Sequence, residues 1–193
     1  MGSKRRRWGF GLLFVLGALA PAPSAQAEPH WFRGEAELTK GAPPLSIPAS
    51  GEITLLIVGL REVRCQASGT EDLSNPAIGF GEDSIAKLEL SRCRITHALC
   101  PETKNVEVVP LGLPWRSQLF AGTLEGDALE GAKLEVRCKA GHTLHLFEGS
   151  LQGPVADGSI ELGGTLREAE PHREAIVNLL EHLKSKHGKI TIH

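Results

Sequence analysis

The residues that could do chemistry in this chain follow no established catalytic pattern. The sequence contains no nucleophile elbow, zinc-protease helix, phosphate-binding loop or dinucleotide-binding fingerprint. His142 and His145 are three residues apart in a predicted strand, where side chains alternate between faces, so they should not share a metal ion. A hydrolase that uses His142 or His145 with a carboxylate nevertheless stays open as an alternative.

One acidic segment could offer oxygen ligands to calcium. Residues 69–83 form a predicted long loop with four carboxylates: Glu71, Asp72, Glu82 and Asp83. The segment lacks the D-x-D-x-D-G spacing of calcium-binding loops. From the motifs we therefore expect no metal site, no cofactor and no catalytic residue.

The phrase Glu-Val-Arg-Cys occurs twice, at 62–65 and at 135–138. Both copies have the alternation of a strand, which puts Cys65 on the same face as Val63 and Cys138 on the same face as Val136. Each of these cysteines should therefore face inward, and the two could meet across the core or between neighbouring strands.

The four cysteines of the chain predict disulfides, because their number is even and a secretory signal precedes them. We favour Cys65–Cys138 and Cys93–Cys100, since only six residues separate the second pair. The other connectivities remain open. A zinc site with four thiolates is the less favoured alternative, because the sequence has no C-x-x-C pair.

The first residues have the features of a secretory signal peptide. Four basic residues, 4–7, precede an apolar stretch, 8–20, which is shorter than the roughly 20 residues that span a bilayer. Ala25 and Ala27 form an A-x-A site, which predicts cleavage between Ala27 and Glu28. We expect a signal peptide over 1–27 and a secreted or cell-envelope protein, exported by the general or the twin-arginine route.

Removing the signal peptide makes the chain acidic. The number of Lys and Arg residues falls from 21 to 17 while Asp and Glu stay at 23, so the net charge becomes 17 − 23, or −6. A nucleic-acid partner is therefore not expected, because phosphate binding needs a basic surface. No later segment is long and apolar enough to predict a transmembrane helix.

Short alternating segments separated by turn residues predict a mainly β fold for one domain, 28–193. An antiparallel sandwich and a barrel are both compatible with this pattern. The immunoglobulin signature is absent, because Trp115 lies far from the first cysteine and the chain contains no Tyr. The segment Ile53–Val58 is apolar at alternating positions on both faces, which predicts burial on both.

One segment has a different period. Ile176, Leu179, Leu180 and Leu183 recur at helical spacing, Pro171 suits a first turn and Gly188 suits a cap. We therefore predict one amphipathic α-helix at about 170–187, packed against the outer face of the β-body.

Short sequence elements within about 51–151 resemble a group of secreted bacterial proteins without an assigned activity. The shared elements are the strand at 51–55, the Glu-Val-Arg-Cys strand at 62–65, the pair Cys93 and Cys100, and Leu113-Pro114-Trp115. The resemblance implies an exported β-rich domain stabilised by disulfides, and no activity.

We expect a non-catalytic binding or envelope-associated module with a protein or cell-envelope component as its partner. A carbohydrate-binding module is an alternative, although such modules usually stack sugars on exposed aromatic rings and this chain offers few. After the signal peptide these are Trp31, Trp115, Phe32, Phe80, Phe120 and Phe147.

Overall fold

The computed structural model describes residues 28–59, 62–95, 106–122, 125–138, 142–169 and 173–193, and for 142–144 it describes the backbone only. In these residues the chain forms β-strands and no helix. The strands are β1 Trp31–Arg33, β2 Ala36–Glu37, β3 Leu45–Ile57, β4 Glu62–Ser74, β5 Glu82–Ile95, β6 Val106–Pro110, β7 Trp115–Phe120, β8 Gly126–Cys138, β9 His142–Ala156, β10 Ser159–Glu168, β11 Glu174–Leu183 and β12 Ile190–Ile192.

Eight antiparallel strands close a barrel in the order β3, β4, β5, β7, β8, β9, β10 and β11, and β11 pairs again with β3. Neighbours in the barrel are neighbours along the chain, which is the up-and-down arrangement. Strand β6 pairs with the second half of β8, beyond the part that pairs with β7. The structure is thus a barrel rather than a sandwich.

The barrel interior is filled by side chains, as expected for eight strands. On β3 the inward residues Ile53, Leu55 and Ile57 are buried, whereas Leu56 and Val58 are about half exposed. The prediction that Ile53–Val58 is buried on both faces is therefore wrong. The outer face of this strand meets solvent, so only alternate residues belong to the core.

A small sheet formed by β12, β1 and β2 covers one end of the barrel. Trp31 is fully buried there, and its indole Nε1 donates a hydrogen bond to the carbonyl oxygen of Glu82 at 3.1 Å. Ile190 and Ile192 are buried in the same core as the inward barrel residues. The two ends of the described chain therefore pair with each other and close the barrel at this end.

Glycines occupy inward positions where neighbouring strands come very close. A Cβ atom at Gly51 would lie 1.7 Å from the backbone oxygen of Leu180, and one at Gly69 would lie 2.0 Å from that of Lys87. No side chain fits at such a distance without moving backbone. These glycines allow the long strands to bend around a narrow barrel.

The predicted C-terminal helix is wrong, because residues 174–183 form strand β11. Its inward residues Ala175, Val177 and Leu179 are fully buried, whereas Ile176 and Leu180 face outward and are 45% and 38% exposed. The strand does contact the predicted strand at 53–58, but it pairs edge to edge with β3 instead of packing on its face. No described helix is long and apolar enough to cross a membrane.

The helical interpretation failed because the two strand faces differ little in apolar character. The inward face includes the small Ala175 and the charged Glu181, while the outward face includes Ile176 and Leu180. The period-two pattern of apolar residues is therefore weak. Helical spacing also fits the four residues Ile176, Leu179, Leu180 and Leu183. Pairing with strands on both sides decides the conformation, because context outweighs local preference.

The structure also corrects the predicted disulfides. Cys65 on β4 is bonded to Cys93 on β5, with 4.1 Å between their Cα atoms, so both favoured pairs, Cys65–Cys138 and Cys93–Cys100, are wrong. Cys138 is disulfide-bonded as well, and Cys100 lies outside the described residues. Residues 1–27, with the predicted signal peptide and the cleavage site at Ala27, also lie outside them.

The two Glu-Val-Arg-Cys strands do place their cysteines inward, as the alternation predicts. Val63, Cys65, Val136 and Cys138 are all buried. The two strands are not neighbours, since β5 and β7 lie between β4 and β8 in the barrel. Cys65 instead faces Cys93 across the β4–β5 ladder, at a bulge where Arg92 adopts a positive φ of 51°.

We expect Leu179→Ala to lower the free energy of unfolding by about 2–5 kcal/mol, because it leaves a cavity in the core. Leu180→Ala should cost less than about 1 kcal/mol, because its side chain faces outward. Chemical denaturation of both variants measures the difference. Equal and large losses would contradict strand β11 and would restore the helical stripe, in which both leucines are buried.

We expect non-reducing peptide mapping of the oxidised protein to find Cys65 linked to Cys93. The double variant Cys65→Ala/Cys93→Ala should lower the free energy of unfolding by about 3.5 kcal/mol in the chain-entropy model, because the bond closes a loop with a separation of 28 residues. A peptide that links Cys65 to Cys138 would contradict this part of the structure.

Candidate functional site

Four carboxyl side chains point into the barrel close to the end covered by the small sheet. This acidic layer consists of Glu71 on β4, Asp83 on β5, Asp127 on β8 and Glu181 on β11, all buried. No Lys or Arg is buried among the described residues. The acidic layer therefore has no buried cation from the described chain to balance its charge, which makes full ionisation costly.

The carboxyl oxygens of the acidic layer lack hydrogen-bond donors when all four groups are ionised. Both oxygens of Glu71, both of Asp127 and one each of Asp83 and Glu181 are buried without a partner among the described residues. Glu71 nevertheless lies within hydrogen-bonding reach of Glu181, and Asp83 within reach of Asp127. A proton on one member of each pair supplies a donor, so two shared protons give partners to four of these six oxygens.

The pKa values of the layer follow from burial first. Desolvation raises the pKa of Glu71 well above its usual value, and the hydrogen bond and negative charge of Glu181 raise it further. Desolvation likewise raises the pKa of Asp127, with the charge of Asp83 adding to it. Desolvation raises the pKa of Asp83 to about 6, although hydrogen bonds from Ser117 and Asp127 oppose the shift.

The outer side of the same wall carries a groove of about 520 Å³. We call it the wall groove. It is lined by Pro44, Asp72, Ser74, Phe80, Glu82, Asp83, Ser84, Arg116, Ser117, Gln118, Leu119, Phe120, Ala128 and Glu130. Strand β7 forms its centre, with Arg116, Gln118 and Phe120 pointing outward while Ser117 and Leu119 point inward.

Two half-buried phenylalanines, Phe80 and Phe120, line the wall groove. Glu82 is paired with Gln118, and the backbone N–H of Leu119 donates to the carbonyl oxygen of Gly81 at 2.8 Å. Phe120 ends β7, whereas Phe80 precedes β5 and packs partly against the core. The groove thus has apolar and polar side chains in its lining.

Three outward polar side chains of the wall groove, Arg116, Gln118 and Glu130, are not engaged with one another. Arg116 and Glu130 are cross-strand partners, yet no ion pair joins them among the described residues, and Gln118 makes no side-chain hydrogen bond there. Elsewhere on the barrel, charged neighbours such as Lys87 and Glu89 do form ion pairs. Donors and acceptors in the groove are therefore free for a ligand.

The opposite end of the barrel holds a buried histidine network. Nδ1 of His145 lies 3.2 Å from a carboxylate oxygen of Glu168, and Nε2 lies 3.3 Å from a guanidinium nitrogen of Arg173. Both contacts are satisfied when Nδ1–H donates to Glu168 and Nε2 accepts from Arg173. A depression of about 730 Å³ nearby is lined by Glu168 but not by His145.

The structure places the candidate histidines and the candidate calcium ligands at different sites. His145 does meet a carboxylate, and the side chain of His142 lies outside the described atoms. Of the proposed calcium ligands, Glu71 and Asp83 point inward, whereas Asp72 and Glu82 line the outer groove. The predicted loop 69–83 is also wrong, since it is largely the ends of two strands joined by a turn, so these four carboxylates do not form one site.

Sequence analysis missed Asp127 and Glu181 as members of a buried cluster. The available signal is the alternation itself, since Asp127 shares its strand face with Leu129 and Glu181 shares its face with Leu179. Inward acidic residues in otherwise apolar positions indicate a buried polar site. Only the barrel topology shows that such residues from different strands meet.

We expect the free energy of unfolding to fall as the pH rises from about 4 through 6 and beyond. Groups with a raised pKa in the folded state bind more protons folded than unfolded, so their contribution is complete below the unfolded pKa and is lost as the pH passes the folded pKa. Denaturant titrations at pH 5 and pH 8 measure the effect. Higher stability at pH 8 than at pH 5 would contradict protonated carboxyls in the layer.

Two variants separate the acidic layer from other groups. Asp127→Asn removes one titrating carboxyl and should flatten the slope of unfolding free energy against pH by up to about 1.4 kcal/mol per pH unit. Glu130→Gln is the matched control, because it changes an exposed carboxyl on the outer face of the same strand, outside the acidic layer.

Comparison of the chain with protein-family models, with curated proteins and with solved structures finds no match. No activity or partner is therefore transferred to this chain from another protein. A function is therefore inferred from three features of the structure: the wall groove, the acidic layer and the histidine network.

Proposed function

We propose that the protein is an exported, non-catalytic binding domain and that its ligand occupies the wall groove. The observation that carries this proposal is the groove itself, in which the half-buried Phe80 and Phe120 accompany the exposed polar side chains of Arg116, Gln118 and Glu130. Ligand sites in proteins combine an apolar surface with a few polar groups that fix the ligand's orientation, and their volumes are about 300–1,000 Å³. The groove of about 520 Å³ has both properties.

Export is supported by two independent features. The first residues have the basic, apolar and small-residue regions of a secretory signal. The Cys65–Cys93 bond is of the kind that persists in oxidising compartments. The proposed location is therefore outside the cytoplasm, either free or at the cell envelope.

The histidine network supports a structural role rather than hydrolysis. A general base needs a nitrogen that can reach the substrate. In His145 both ring nitrogens are within reach of protein groups, Glu168 and Arg173, and the residue is buried. The contact between Glu168 and His145 therefore favours a network that holds the end of the barrel together.

The barrel interior is a poor ligand site. Large side chains such as Phe147, Leu134 and Leu151 fill it and are almost completely buried. A ligand inside would have to displace packed core residues, at a cost of several kcal/mol. Binding at the outer wall displaces no packed core residue, which favours the wall groove as the ligand site.

The exported protein, immobilised and incubated with cell-envelope fractions of the organism that encodes it, tests the proposal. We expect wild type to retain envelope material and the double variant Arg116→Ala/Gln118→Ala to retain at least about tenfold less, because two polar contacts are lost. Arg94→Ala/Gln66→Ala is the matched control. It removes the same two residue types from the outer face outside the groove.

The control variant should retain as much material as wild type. Equal retention by the groove variant and wild type would overturn the proposal that the groove binds the ligand. Thermal unfolding of each variant confirms that a loss of retention is not a loss of fold.

A further inference from the structure

We propose that His30 holds the small sheet on the end of the barrel while its imidazole ring carries two protons, and that it releases this sheet as the pH rises. The sheet concerned is the one formed by β12, β1 and β2. His30 is a buried residue directly before β1, and the geometry around its ring points to this role.

Both ring nitrogens of His30 face hydrogen-bond acceptors. Nδ1 lies 3.0 Å from a carboxylate oxygen of Glu37, and Nε2 lies 3.0 Å from the carbonyl oxygen of Gly79. A neutral imidazole has one N–H, so it donates to one of these oxygens and turns a lone pair towards the other. The imidazolium ion has two N–H groups and donates to both. The observed arrangement therefore fits the doubly protonated ring, and either tautomer of the neutral ring breaks one contact.

The two acceptors of His30 belong to different parts of the fold. Glu37 ends β2 in the small sheet, whereas Gly79 lies in the turn between β4 and β5 of the barrel. The backbone joins the same two parts, because the N–H of Gly81 donates to the carbonyl oxygen of Pro29 at 2.9 Å. A doubly protonated His30 therefore ties the small sheet to the barrel. Loss of one contact weakens this attachment, since a buried ring has little water to replace it.

Titratable groups lie on each element next to the segment that contains His30. They are Glu37 and Lys40 on the β2 side, His193 after β12, and Glu82 and Asp83 at the start of β5. Glu37 is the carboxylate that contacts the ring, and Nζ of Lys40 lies 3.4 Å from the same carboxylate oxygen. The ring of His193 packs edge-on against Phe32 instead, with 5.0 Å between the ring centroids. Deprotonation of His30 thus leaves Glu37 with Lys40 and removes the link between β2 and the turn.

The acidic layer at the same end of the barrel titrates in the same direction and has to be separated from His30. Burial raises the pKa of Asp83 to about 6 and the pKa of Glu71 well above its usual value, so the layer also loses protons as the pH rises. Its carboxyls lie on four strands of the barrel wall, so their repulsion acts on the barrel. Comparing a His30 variant with wild type at one pH leaves the layer the same in both proteins.

Amide hydrogen exchange, followed by NMR on the oxidised protein, tests the proposal. The protection factor divides the intrinsic exchange rate by the measured rate, which removes the direct effect of pH on exchange. The amide of Gly81 reports the contact of the small sheet with the barrel, and the amide of Val177, in a strand paired on both sides, reports the barrel. We expect the protection of Gly81 in wild type to fall by at least about tenfold from pH 5 to pH 8.

The variant His30→Gln cannot carry the second proton. At pH 5 we expect it to lower the protection of Gly81 by about tenfold relative to wild type. At pH 8, where the wild-type ring has lost this proton, the two proteins should agree within about twofold. The protection of Val177 should be the same in both. His182→Gln is the matched control and should leave Gly81 unchanged, because His182 is exposed on the outer face of β11.

The variant Glu37→Gln distinguishes protonation from a contact that depends on shape alone. The amide of Gln donates to Nδ1 of the neutral ring while Nε2–H donates to Gly79, so both contacts survive deprotonation. At pH 8 we expect Gly81 to be at least about threefold better protected in this variant than in wild type. Glu130→Gln, on the outer face of β8, is the control and should match wild type.

Three results would overturn the proposal. One is equal protection of Gly81 in wild type and His30→Gln at pH 5. Another is a loss of the same size at pH 5 and pH 8, because His30 would then act without its second proton. The third is an equal loss at Val177, which would mean that the variant destabilises the whole barrel. If His30→Gln does not fold, Glu37→Gln decides, since Glu37 is exposed and its replacement is mild. Protection of Gly81 at pH 8 no higher than in wild type would then contradict the proposal.

Discussion

Closure of the barrel depends on one ladder, in which β11 pairs with β3 from Ala175 opposite Ile57 to Leu183 opposite Ala49. Alternate side chains of a strand face the core, so the register of this ladder determines which residues of β11 are buried. A slip of one residue would turn Ile176 and Leu180 inward and would put Val177 and Leu179 into solvent. It would also expose Glu181, which completes the acidic layer.

The acidic layer and the wall groove lie on the two sides of the same wall. Asp83 and Asp127 belong to the strands on either side of β7, and the outward residues of β7 form the centre of the groove. Buried carboxyls that hold protons are satisfied donors and acceptors, which keeps this wall packed. Ionisation would put like charges on the two strands that flank β7, and their repulsion would destabilise this wall of the barrel.

Much of the fold follows from the sequence, because alternation is a direct consequence of strand geometry. The inward position of Cys65 and Cys138 and the mainly β fold could be predicted in this way. The closing strand could not, because Ala175 and Glu181 weaken the inward face and Leu180 strengthens the outward one. Its conformation is set by pairing with β10, which precedes it in the chain, and with β3, which is distant in sequence and carries no local signal.

The disulfide pairing and the geometry of the wall groove could not be predicted from the sequence for a related reason. The Cys65–Cys93 bond requires the register of β4 and β5, and that register contains bulges, one of them beside Arg92. A bulge adds a residue to one strand and reverses the alternation beyond it, so Ile85 and Leu88 both point inward although they are three residues apart. The wall groove has the same dependence, since Ser84, Arg116 and Glu130 become neighbours only when β5, β7 and β8 are aligned. Local periodicity thus determines the faces of single strands, whereas the contacts between strands, which make the disulfide, the acidic layer and the groove, are properties of the closed barrel.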